Sequence, residues 1–161
     1  MQHLLPPASG LYDPRFEHDA CGVSFVVDIQ GRRSHNIVSM GIGALCSMEH
    51  RGATGAEADT GDGAGVLIQI PHRFLSEVAD FPLPAMGGYG VGLAFLPTDE
   101  QHRANALRSI SQIANEEQLE VLGWREVPVD PSSIGASAKA VMPYFAHVFI
   151  ASKSGLTEID L

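Results

Sequence analysis

A chain of 161 residues that is 45% hydrophobic has enough apolar material for one core, and two cysteines are too few for a disulfide framework or, by themselves, for a structural zinc or iron–sulfur site. Lys plus Arg number 10 against 19 for Asp plus Glu, and the resulting formal charge of −9 disfavours nucleic acid and anionic membrane surfaces as partners. No apolar run reaches the length of a membrane helix, and residues 1–10 lack the basic start and apolar stretch of a secretory signal, so a cytoplasmic protein is expected.

In chain order, residues 1–20 carry Pro6, Pro7, Gly10 and Pro14 without periodicity and read as a leader that lies on the domain or is removed from it. Val23, Phe25, Val27 and Ile29 then alternate with Gly22, Ser24, Val26 and Asp28, which predicts a strand over 21–29, closed by a turn at Gln30-Gly31-Arg32. Ile37, Met40, Gly41, Ala44, Leu45 and Met48 form a helical stripe over 37–50, and Gly41 and Gly43 within it suggest close packing against a sheet. A strand is expected at 66–70, with Pro71 opening a short helix through Val78. Another strand follows at 89–96. Thr98 and Gln101 have the spacing of a capping box, starting a helix whose apolar face is Ala104, Leu107, Ile110 and Ile113 and which stops near Glu117. Residues 121–127 and 145–150 read as strands, separated by a turn-rich connection over 128–135. The mixture predicts an α/β (α+β) fold with sheets covered by helices and at least partly antiparallel pairing. The glycine clusters at 61–65 and 87–92 match neither G-x-G-x-x-G nor a phosphate-binding P-loop.

Cys21 is the residue on which the chemistry turns. If the bond before it is cut, its free α-amino group, with an ordinary pKa of about 7.7 to 8.0, can take the proton from its own sulfur, and the thiolate is the nucleophile. If the bond is intact, Cys21 is a small side chain at the start of a strand. Glu17, His18, Asp19 and Cys21 can also be read as metal ligands, although they lack paired zinc spacings, or as a solvated polar turn. Cys46 falls within the helical stripe. Gly52 could cap that helix in a left-handed conformation, leaving Arg51 either to satisfy the last carbonyls or to hold a backbone or carboxylate oxygen beside the nucleophile. His50 reads as a structural hydrogen-bonding group and Asp62 as a loop-shaping one. A module that holds a small carboxylate through Arg51 and the glycine loop, without reacting, is the remaining alternative.

Tyr12-Asp13-Pro14, Glu17-His18-Asp19-Ala20-Cys21-Gly22-Val23, Glu49-His50-Arg51-Gly52-Ala53, Thr60-Gly61-Asp62-Gly63-Ala64-Gly65 and Gly123-Trp124-Arg125-Glu126-Val127-Pro128 together resemble the beginning of the glutamate synthase large chains, whose glutaminase domain is a class II glutamine amidotransferase. The resemblance runs from about residue 11 to residue 150. It implies an αββα sandwich of the N-terminal nucleophile hydrolase type, here incomplete, with a propeptide over 1–20 and the N-terminal portion of the domain over 21–161. It implies Cys21 as the nucleophile and a supporting role for Arg51 and Gly52 in placing it, with glutamine as the substrate.

No cofactor is expected in this chain. FMN and an iron–sulfur cluster are implied only for the full-length enzyme, whose remainder would be the partner. The family's Arg-Phe-Ser-Thr-Asn-like and Asn-Gly segments, which hold the substrate carboxylate and the oxyanion, have no match: Arg73-Phe74-Leu75-Ser76 is a chance echo, and Asn36, Asn105 and Asn115 precede Ile, Ala and Glu. Little glutaminase activity is therefore expected of the chain alone, the alternative being an inactive, unprocessed fragment, and exposed sheet edges would favour self-association.

Overall fold

The computed structural model describes residues 22–48, 57, 59–61 and 63–154. Contacts divide the chain into two units, Met1–Val66 and Leu67–Leu161.

In the first unit the strand expected over 21–29 does not form a ladder: residues 22–28 have no strand partner among the described residues, and Val23 and Phe25 are 90% and 88% exposed. Alternation fits side chains to a packed face, but it supplies no neighbouring backbone, and a strand without one satisfies its amides with water. The expected turn does form. Asp28 accepts the Gln30 N–H through its carboxylate at 2.7 Å and the Gly31 N–H through its backbone carbonyl at 2.9 Å, while Gly31 takes a φ of 68°. Helix α1, His35–Ser47, starts earlier than the stripe suggested because Ser34 caps it, accepting the Ile37 N–H. It also stops earlier, with Met48 as the C-cap residue. The idea that Gly41 and Gly43 make room for a sheet is not met: a Cβ at either would have nothing within 4 Å.

The second unit holds the sheet. Residues 67–70 again have no strand partner among the described residues, and Ile70 of that run packs onto the core. Helix α2, His72–Val78, follows Pro71 and buries Leu75. Strand β1 is Gly90–Leu96, helix α3 is Glu100–Glu116, strand β2 is Leu119–Glu126, and after a 3-10 turn at Pro131–Ser133 a short helix α4, Ala136–Ala140, leads into strand β3, Tyr144–Ser152. The sheet order is β1-β3-β2, with both outer strands antiparallel to β3. The last strand is therefore the central one, and β1 and β2, parallel to each other, are joined across it by α3.

Pairing and the two-residue period together set the faces. Opposite β3, Val91 meets Phe149, Leu93 meets His147 and Phe95 meets Phe145, so these six side chains share one face. Phe149 is fully buried there, in a cluster with Leu75 and Tyr89, against which Val78, Phe81, Val91 and Leu122 pack. Phe81 meets Phe149 edge-on at 5.1 Å between ring centroids and lies directly over Gly123, where a Cβ would come within 2.4 Å of the ring. Gly123 is thus glycine because an aromatic ring occupies the space a side chain would need, and the ladder is irregular beside it, between Val121 and Gly123.

The opposite face carries Ala146 and Val148, both buried, and Tyr144. There the Arg103 guanidinium of α3 lies 4.5 Å from the Tyr144 ring centre, and the Tyr144 hydroxyl donates to the Glu126 carboxylate at 3.0 Å. Helix α3 is capped by Asp99, whose carboxylate accepts the His102 N–H at 2.8 Å, one residue beyond the expected Thr98. Its inward stripe ends on buried Ala114, whereas Ile113, expected inside, is 59% exposed. The helix stops as expected at Glu116; Gln118 then turns the chain at a φ of 60°. That turn is tied to the sheet by the Lys153 N–H donating to the Gln118 carbonyl and by the Lys153 ammonium donating to Asn115.

Candidate active site

Cys21, Arg51 and Gly52 all lie outside the described residues, as do Glu17, His18, Asp19, His50 and Asp62. The structure does describe what flanks them. Gly22 onward runs without a ladder into the Asp28 turn, where Arg32 adds a charge-assisted contact to the Asp28 carboxylate at 2.9 Å. Before the glycine-rich loop, Thr60 donates its hydroxyl to the Glu57 carboxylate at 2.9 Å and its N–H to the Glu57 carbonyl at 3.1 Å, a local turn that sets the loop's entry. Gly63 and Gly65 face open space, so crowding does not explain why they are glycines. Cys46 is an exposed free thiol on α1. Among the described residues no group of three or more His, Cys, Asp or Glu could hold a metal ion, and no helix is long and apolar enough to cross a membrane.

The remaining motif, Gly123 to Pro128, begins on β2 and runs two residues past its end, and two of its residues have clear structural work. Gly123 accommodates Phe81, as described above. Arg125 lies opposite His147 in the ladder and reaches over the Phe74 ring at 5.9 Å. Sequence reading passed over His147, although its place between Phe145 and Phe149 on the apolar face follows from the two-residue period. Its Nδ1 is buried with no hydrogen-bond partner among the described residues, and its ring sits edge-on to Phe149 at 6.2 Å. Burial first, and the nearby Arg125 charge second, hold its pKa below the usual 6.5.

Neutral His147 is therefore a packing element, and the sign of its pH effect is fixed. The unfolded chain binds its proton near pH 6.5 while the folded chain resists it, so the stabilisation is complete above that value and is lost as the pH falls from there through the lower folded pKa. Melting temperatures measured between about pH 7.5 and about pH 5.5 should fall more steeply for the natural protein than for His147→Gln; equal slopes would show that His147 does not couple to folding. A second polar pair, His72 Nδ1 and the Tyr89 hydroxyl at 3.0 Å, caps the edge of the core, where burial raises the Tyr89 pKa.

Comparison with known families adds what these residues leave open. The profile of the class-II glutamine amidotransferases matches residues 21–161, beginning on Cys21 itself. The chain is 42% identical over 155 residues to the NADPH glutamate synthase large chain of Bacillus subtilis, covering 96% of this chain and 10% of that protein. It is 38% identical over 148 residues to ferredoxin-dependent glutamate synthase 2 of Synechocystis, covering 90% of this chain and 10% of that protein. To the NADH glutamate synthase of Saccharomyces cerevisiae it is 40% identical over 149 residues, 88% of this chain and 7% of that one. The chain thus spans about a tenth or less of the length of these relatives.

Proposed function

This chain belongs to the class-II glutamine amidotransferases, and from that premise we propose that it is the N-terminal portion of the glutamine-hydrolysing domain of a glutamate synthase. The single observation that carries the reading is that the family match starts at Cys21, the residue that would become the amino terminus once a leader over 1–20 is removed. With that bond cut, the α-amine accepts the thiol proton, the thiolate attacks the side-chain amide carbon of glutamine, and the tetrahedral adduct collapses with loss of ammonia. Water then attacks the glutamyl thioester, releasing glutamate and regenerating the thiol. Arg51 and Gly52 support the nucleophile by fixing the backbone or substrate oxygens beside it.

The flavin and iron–sulfur chemistry of such a synthase belongs, on this reading, to other parts of a longer polypeptide. Two cysteines, one of them the nucleophile and the other on an exposed helix surface, do not make a cluster ligand set. Oxyanion and carboxylate-binding groups also have to come from outside these residues, on this reading, because the sequence holds neither an Asn-Gly pair nor an Arg-Phe-Ser-Thr-Asn-like segment.

Intact-mass spectrometry together with a glutamine-mimicking electrophile tests the assignment. A mature amino terminus at Cys21 and a single adduct on that residue are the expected results. A chain that retains Met1 and takes up no label would instead favour the inert, unprocessed form, and an adduct on Cys46 would remove the assignment altogether.

A further inference from the structure

We draw no further inference here: the strongest candidate, the Arg125 and His147 pair set opposite each other on the apolar face of the sheet beside Phe74 of α2, carries only the pH-dependent stability already derived for His147.

Discussion

Alanine in place of Cys21, in a polypeptide long enough to include the oxyanion and carboxylate-binding segments, is expected to lower ammonia release from glutamine by at least about a thousandfold. The size of the effect follows from the chemistry. Without a sulfur there is no thioester, and the amide must be attacked by water, which the remaining groups can only orient. Cys46→Ala is the matched control: its thiol stands exposed on α1, and it should release ammonia at the natural rate. Serine at position 21 should fall close to alanine, because an α-amine with a pKa of about 7.7 to 8.0 can draw a proton from a thiol far more easily than from a hydroxyl. The same argument predicts that a chain still carrying residues 1–20 is inactive, since the nitrogen before the thiol is then an amide. Ammonia release measured on the processed and unprocessed forms of the natural, Cys21→Ala and Cys46→Ala proteins separates these effects. A Cys21→Ala enzyme retaining a tenth of natural turnover would remove cysteine from the mechanism, and loss of activity in Cys46→Ala alone would transfer the role to that residue.

The strands legible in the sequence are the three that pair with one another. Residues 89–96, 121–127 and 145–150 alternate, and the last of them pairs with each of the other two, so pattern and hydrogen bonding agree. Residues 21–29 alternate just as clearly and residues 66–70 are just as apolar, yet among the described residues neither 22–29 nor 66–70 has a strand partner, because periodicity specifies a face without specifying a neighbour. Helix α3 was readable as a helix but not at its start: Thr98 with Gln101 and Asp99 with His102 offer the same spacing, and the carboxylate caps. Helix α4 was missed because Ala-Ser-Ala-Lys-Ala is too short to show a period.

Motif residues were legible as a pattern, whereas their reasons were not. Gly123 stands in a run that signals the family, but only the fold shows that the Phe81 ring, from a distant stretch of chain, sits where its side chain would be. Arg125 in the same run proves to face His147 and Phe74, which makes it part of the sheet's packing. For Cys21, Arg51 and Gly52 the sequence and the family remain the source of the assignment, since these positions fall outside the described residues.

Phe149→Ala is the substitution expected to damage the fold most, by about 3 to 5 kcal/mol. Phe149 is completely buried at the central strand, where it meets Phe81 edge-on and stacks with Tyr89 at 6.1 Å between centroids. Truncation removes the transfer free energy of the ring and leaves a void that cannot close easily. Phe81 is held over Gly123, Leu75 is fixed on α2, and Tyr89 is anchored at its hydroxyl by His72. Set against a typical domain stability of about 5 to 15 kcal/mol, this loss leaves a substantial unfolded population in a unit where, among the described residues, Phe149 is the one fully buried ring. Leucine at the same position keeps most of the volume and should cost clearly less. Phe95→Ala, on the same face but two-thirds exposed, should cost little by comparison, because most of that ring is already in water. Urea denaturation followed by far-ultraviolet circular dichroism, with the three variants sharing one m-value, gives the ordering directly. If Phe149→Ala shifts the midpoint no further than Phe95→Ala, then Phe149 is not the centre of the core, and the packing of α2 and Phe81 onto the sheet is not what holds this unit together.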